Sequence, residues 1–141
     1  MKRNASALWN GSLKEGKGTM STGSGLMQDA QYSFGTRFEE GKGTNPEELV
    51  AAAHAGCFSM ALANSLAQAG HVATSIKTTA VVSANKTDAG FAITGIALTT
   101  RGVVPGLAQE QFKEFAEATK TGCIVSRALS AVPMTLDAQL A

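Results

Sequence analysis

A helix that is apolar on nearly every side constrains this chain more than any other feature. Its start is marked at Thr44-Asn45-Pro46-Glu47-Glu48. Asn45 can accept hydrogen bonds from the orphan amides of the first turn. Pro46 suits the first helical position, where no amide bond is lost, and the two glutamates oppose the positive end of the helix dipole. The helical pattern continues to Gln68, and Ala69-Gly70 stops it. In between, Leu49, Val50, Ala51, Ala52, Ala53, Phe58, Met60, Ala61 and Leu62 leave no continuous polar face. Such a helix belongs in the middle of a structure. The chain has 141 residues, the length of a single domain, which we read as 1–141. A domain of that size has trouble covering every face of the helix, which points to burial against a second subunit. The apolar stretch 49–63 contains His54 and Ser59 and falls short of the ~20 residues a bilayer span needs, so no membrane is expected.

Around this helix the pattern predicts an α+β fold. Residues 5–13 read as a strand and turn, 31–38 as a strand alternating Tyr32, Phe34, Thr36 and Phe38 on one side, and 74–84 with 91–104 as a hairpin across the polar turn 85–90. Residues 107–121 are amphipathic, with Phe112, Phe115 and Ala116 inward, and end at Gly122. A short helix over 123–129 follows. Residues 132–140 alternate Val132, Met134, Leu136, Ala138 and Leu140, the clearest strand of all. The segment Glu-Gly-Lys-Gly-Thr occurs at 15–19 and again at 40–44. Both copies read as tight turns, and neither has the lysine followed directly by Ser or Thr that a phosphate loop requires.

Charge excludes several partners. Twelve basic and eleven acidic side chains give a formal net charge of +1 with no basic tract, so neither nucleic acid nor an anionic surface is expected. Lys2 and Arg3 are not followed by an apolar run, because Asn4, Ser6, Asn10 and Gly11 interrupt it. The sequence therefore reads as cytoplasmic, and Asn85-Lys86-Thr87 as a turn rather than a glycosylation site.

The candidate chemistry rests on two cysteines, Cys57 within the long helix and Cys123 directly after Gly122. In a reducing compartment a pair cycling between thiol and disulfide is a serious candidate, beside the plainer reading of two small buried apolar residues. A reactive cysteine needs its thiolate, hence positive surroundings or a helix N-terminus. Cys123 stands at the start of a helix. Cys57 does not, so an arginine would be its natural activator. Arg37, among Tyr32, Phe34 and Phe38, is the strongest candidate, although a solvated strand charge reads equally well. Glu47 could orient it through a bidentate ion pair, or serve the helix end alone. Ten residues of straight helix separate Glu47 from Cys57 by roughly 15 Å, so the two share a site only if the helix bends or a partner chain contributes. His54, three residues before Cys57, could act as base or ligand or be a core or interface histidine. The two histidines and two cysteines do not form a zinc pattern, and no metal is expected.

Arg37-Phe38-Glu39, the run from Gly43 through Asn45-Pro46-Glu47 to Leu49, and Ala52-Ala53-His54-Ala55-Gly56-Cys57-Phe58-Ser59-Met60 carry a family resemblance. With Phe91-Ala92-Ile93-Thr94 and Gly122-Cys123-x-Val125-Ser126, they resemble the osmotically inducible protein C (OsmC) family, more its OsmC branch than its organic hydroperoxide resistance branch. The resemblance implies an intertwined homodimer with long central apolar helices wrapped by antiparallel sheets and two sites at the interface. It also implies a stress-defence thiol peroxidase of organic hydroperoxides and hydrogen peroxide. Cys57 would be peroxidatic, Cys123 resolving through an intramolecular disulfide, and Arg37 and Glu47 the activating pair. No cofactor is implied beyond an external dithiol reductant, which in the sister branch is a lipoylated protein. Phe34, Phe38, Phe58, Met60 and His54 are candidate pocket residues, with ordinary core as the competing reading. The sequence departs from the family at Ile124, where relatives often carry a proline that would pre-set the short helix. The alternative function is a non-enzymatic stress protein or small-ligand binding module with structural cysteines.

Overall fold

The computed structural model describes residues 1–141 and resolves them into two units, Met1–Leu49 and Val50–Ala141. In the first, strands β1 (Ala5–Asn10), β2 (Lys17–Thr22) and β3 (Ala30–Ser33) form an antiparallel sheet in that order. Trp9 and Tyr32 both sit opposite Gly18, one on each flanking strand, and their rings meet 5.3 Å apart between centroids. A Cβ at Gly18 would come within 2.7 Å of the indole and collide with Tyr32. This glycine therefore serves close approach across a sheet. The first Glu-Gly-Lys-Gly-Thr copy is a turn only as far as Gly16, because β2 begins at Lys17.

The strand expected over 31–38 stops at Ser33, and Phe34–Phe38 is a short helix, α1. Local hydrogen bonding overrides the alternation. The Ser33 hydroxyl accepts from the Thr36 amide (3.3 Å) and the Thr36 hydroxyl accepts from the Ser33 amide (2.9 Å), a reciprocal cap that favours a helical turn. The second Glu-Gly-Lys-Gly-Thr copy is the loop to the long helix. It includes Gly43 at φ 143°, a conformation side chains resist.

The long helix α2 spans Pro46–Gln68, as the capping signals predict. The Asn45 side chain accepts from the Glu48 amide (2.8 Å) and donates to the Thr36 carbonyl (3.1 Å), which ties the end of α1 to the start of α2. Its burial is narrower than its composition suggests. Only His54, Phe58, Leu62 and Leu66 are fully covered, a stripe at four-residue spacing, while Ala52, Ala53, Gly56 and Met60 are exposed. By length and composition α2 could cross a bilayer, its mean hydropathy reaching 1.4, so the stretch 49–63 alone understated its apolar length. The stripe nonetheless makes it a core helix of the second unit.

That core adds Ile96, Leu98, Val104, Leu107, Phe112, Ala116 and Ala138 to Phe58, Leu62 and Leu66. Each of the Val, Leu, Ile and Phe side chains among them is worth about 1.5–3 kcal/mol when fully buried. Strands β4 (Ser75–Thr87), β5 (Gly90–Val103) and β6 (Met134–Leu140) form the sheet, with helices α3 (Gln109–Gly122) and α4 (Ile124–Ala128) between β5 and β6. The expectation of antiparallel sheets holds for the first sheet and for β4–β5, but β6 runs parallel to β5. The α3–α4 connection supplies the crossover that a parallel pair requires. Residues 85–87 belong to β4, leaving a tight turn at Asp88-Ala89 before Gly90 at φ 112°.

Replacing Gly18 by alanine should cost about 1–3 kcal/mol by overpacking the ring pair. Urea unfolding followed by circular dichroism checks this, and an unchanged midpoint would mean the rings yield without strain.

Candidate active site

Cys57 lies in the middle of α2, and Cys123 is both the last residue of α3's cap and the N-cap of α4. Helix α4 forms with Ile124 at its first position, so the missing proline does not prevent it. The two cysteines are free thiols with sulfurs 2.9 Å apart. A disulfide would bring them to ~2.05 Å. At the observed contact they share a hydrogen bond.

The surroundings of the two sulfurs differ. Burial pushes the Cys57 thiol up, the hydrogen bond to Cys123 pushes it further, and the amides of Val125 and Ile124 oppose this only in part. Burial resists ionisation at Cys123 too. There it is outweighed by the hydrogen bond from Cys57, the Ser126 and Val125 amides and the Ser126 hydroxyl, so this thiol is held below its ordinary value. Either sulfur can donate the shared hydrogen bond. The larger number of donors around Cys123 makes it the more readily ionised of the two. The sequence expectation is a thiolate at Cys57, whereas the surroundings of that sulfur within the second unit raise its pKa.

The Arg37–Glu47 pair is formed within the first unit. Arg37 Nε donates to both carboxylate oxygens of Glu47 (3.1 and 3.2 Å), and Nη2 donates to Oε1 (2.7 Å). Capping brings the two together, because α1 presents Arg37 in its last turn and α2 presents Glu47 in its first. The Glu47 bond raises the Arg37 pKa. Burial resists ionisation of Glu47, but the bond to Arg37 and its charge win, and the carboxyl lies below its ordinary value. Phe38 lies under the guanidinium at 5.2 Å and packs on Phe34 at 4.9 Å. A cavity of about 230 Å³ opens beside Arg37, walled by Trp9, Leu13, Tyr32, Ser33 and Phe34.

The remaining candidates separate. Phe34 lines that cavity, and Phe38 supports the arginine from below. Phe58 is a core side chain, and Met60 stands exposed on α2. His54 is fully buried, its Nε2 2.8 Å from the Ser126 hydroxyl, and burial lowers its pKa. No group of three His, Cys, Asp or Glu side chains gathers to hold a metal. Sequence reasoning missed Trp9 and Tyr32 as walls, since their meeting depends on strand register. It also missed Ser126, although the spacing Cys123-x-x-Ser126 on a short helix was a usable signal.

Two free thiols in contact on an α+β scaffold define a dithiol redox protein. The family model described as OsmC-like protein matches residues 39–137. The chain is 55% identical over 134 residues to Peroxiredoxin OsmC of Escherichia coli strain K12, covering 95% of this chain and 93% of that one, and equally similar to Peroxiredoxin OsmC of Shigella flexneri. Among solved structures it is similar to an organic hydroperoxide resistance protein OsmC from Legionella pneumophila (TM-score 0.75, 26% identity, 96% of each chain). It also shares the fold of the organic hydroperoxide resistance protein OhrB of Bacillus subtilis (TM-score 0.74, 24% identity, 98% of each chain). The chain belongs to the OsmC family.

Because the folded pKa of Glu47 is depressed, the ion pair stabilises above the ordinary carboxylate value of 4.5 and that contribution is lost as pH falls through the lower folded value. Arg37 is 41% exposed and Glu47 15%, so solvent screening limits the gain to about 1 kcal/mol. Denaturant melts of Glu47→Gln should show that deficit at neutral pH and none in acid. A deficit persisting in acid would assign it to packing instead.

Proposed function

We propose that the chain reduces organic hydroperoxides, and hydrogen peroxide, with Cys57 as the peroxidatic thiol and Cys123 as the resolving thiol. The observation that carries this is the 2.9 Å contact between two free sulfurs in a chain 55% identical to a peroxiredoxin. The activity class is that of a cysteine-based peroxidase. The alternative, a binding module with cysteines as packing, has no use for two thiols in contact.

The steps follow from thiol chemistry. The Cys57 thiolate attacks the outer peroxide oxygen and the O–O bond breaks. That oxygen stays on sulfur as a sulfenic acid, and the alkoxide leaves with a proton as an alcohol. The Cys123 sulfur then attacks the sulfenic sulfur, forming the disulfide and releasing the oxygen as water. An external dithiol supplies two electrons and two protons to restore both thiols. No step uses a metal or an organic cofactor. A lipoylated protein is our reading for the dithiol, and the cytoplasm for the compartment.

Arg37 is the group we assign to ionise Cys57 and polarise the peroxide. Glu47 grips the guanidinium through Nε and Nη2, leaving Nη1 without a bond to the carboxylate. The aromatic cavity beside it suits the organic portion of a hydroperoxide. We further propose that residues 1–141 act as one OsmC-like domain in an intertwined homodimer. One observation supports this. Most of the apolar surface of α2 lies outside the buried stripe, as expected of a helix that meets a second chain.

Cys123→Ser should consume one equivalent of cumene hydroperoxide per chain and then stop, with Cys57 trapped as sulfenic acid. Full turnover of this variant with a dithiol reductant would remove Cys123 from the resolving role. A parent protein that reacts no faster than a free thiol would remove the peroxidase reading itself.

A further inference from the structure

The pentapeptide Glu-Gly-Lys-Gly-Thr, present at 15–19 and again at 40–44, has no part in the mechanism above. Its glycines have packing reasons in both copies. A Cβ at Gly16 would collide with the Ser12 and Asn10 carbonyls, and one at Gly18 with the two rings. A Cβ at Gly41 would come within 2.8 Å of the Gly35 backbone, and one at Gly43 within 2.7 Å of the Gln31 carbonyl. The lysines have no such reason. Neither Lys17 nor Lys42 joins an ion pair, whereas Lys113 and Lys120 are paired with Glu110 and Glu117.

Both lysines line one cavity of about 220 Å³ in the first unit. Sheet register assembles its floor. Asn10, Lys17 and Ser33 stand opposite one another across β1, β2 and β3, and Leu8, Thr19 and Gln31 form the row two residues along. Successive side chains of a strand alternate between faces, so all six share the face opposite Trp9. The second pentapeptide is tied to the edge of this sheet. The Thr44 amide donates to the Gln31 carbonyl of β3, and the Gly41 amide to the Gly35 carbonyl, both at 3.1 Å. This brings Lys42 to the cavity beside Thr36.

The lining combines two ammonium groups, two side-chain amides and the hydroxyls of Thr19 and Ser33, and it holds no carboxylate. Glu15 and Glu40, which open the two pentapeptides, are not among its walls. The side chains of Asn10, Lys17, Thr19, Gln31 and Lys42 make no hydrogen bond within the chain. The Ser33 hydroxyl accepts from the Thr36 amide and keeps its own proton to donate. We propose that this cavity binds a small phosphorylated anion, a free phosphate or a compact phosphate monoester. Lys17 and Lys42 neutralise its charge, and Asn10, Thr19, Gln31 and Ser33 donate to its oxygens. A phosphoryl group carries about −1.5 to −2 charges and three acceptor oxygens, which matches two lysines and several neutral donors. A carboxylate, with one charge and two oxygens, would leave half of these groups unused. The volume lies below the roughly 300–1,000 Å³ of pockets for drug-sized ligands, so the ligand is small. Leu8, 59% exposed, offers apolar contact to the organic part of an ester. Recognition is by side chains, whereas a phosphate loop uses backbone amides, so no lysine followed by Ser or Thr is required.

The test needs no peroxide and is independent of the peroxidase reading. Proton–nitrogen correlation spectra of the full chain are recorded at pH about 8, where phosphate monoesters are dianions. Inorganic phosphate and glycerol 3-phosphate are titrated separately, against sodium chloride at matched ionic strength. Saturable shifts should appear at the amides of Lys17, Thr19, Gln31, Ser33 and Lys42 with phosphate and not with chloride. Lys17→Gln and Lys42→Gln should each weaken the apparent Kd about fivefold, and the double variant should lose saturation. Both lysines are exposed, so the variants keep the fold, and unchanged spectra away from the cavity check this. Tighter binding of glycerol 3-phosphate would identify an organic phosphate as the ligand, and equal or weaker binding the free ion. Either result supports the site. Shifts that grow linearly with concentration, that chloride reproduces, or that persist unchanged in the double variant would overturn the proposal and leave the two lysines as solvated surface charges.

Discussion

The arrangement of the second unit depends on the phase of one helix. His54, Phe58, Leu62 and Leu66 recur every fourth residue and are all fully buried, so the rotation of α2 about its own axis is set by three apolar anchors and one polar one. Cys57 stands beside that stripe, and this is why it meets the start of α4 while staying only partly covered. A helix held by apolar contacts alone could slip by a turn into a similar fit. The bond from His54 to Ser126 has one acceptable register, so it specifies which turn of α2 faces Cys123.

Charge is distributed by the same local geometry. Amides at the start of α4 favour ionisation at both sulfurs, but at Cys123 they are joined by the Ser126 amide and hydroxyl, while at Cys57, in the middle of a helix, burial and the bond to Cys123 outweigh them. In the proposed mechanism, the thiol that attacks peroxide is thus the one whose surroundings raise its pKa, and the thiol that waits is the one whose pKa they lower. Because the amides offset burial at Cys57 only in part, the proposed mechanism has a physical reason to call on a guanidinium.

Much of this was legible in the residues. Asn45-Pro46-Glu47-Glu48 and Ala69-Gly70 bracket α2 because caps are local chemistry, and the alternation over 132–140 contains the strand Met134–Leu140 because one face of it is core. Phe34 to Phe38 were misread. Alternating aromatics signal a strand only when nothing local competes, and the Ser33–Thr36 cap competes and wins. The all-round apolar character of α2 was legible, but which face would be buried was not, since a sequence of alanines and leucines does not rank its own faces. The side chains that combine over long separations were the hardest. Arg37 with Glu47 was anticipated from ion-pair chemistry, whereas Ser126 with His54 depends on tertiary placement across 72 residues, and Trp9 with Tyr32 depends on the register of two strands about a third.

The ring pair over Gly18 has an optical consequence. Trp9 is the only tryptophan in the chain. Its indole N–H is held by the Gly11 carbonyl at 3.1 Å, and its ring forms a wall of the cavity that Arg37 borders. All of the protein's indole emission therefore originates at one wall of that cavity. A molecule entering it changes the polarity seen by a single fluorophore, and occupancy can be followed by colour shift in the untouched protein, without label or turnover.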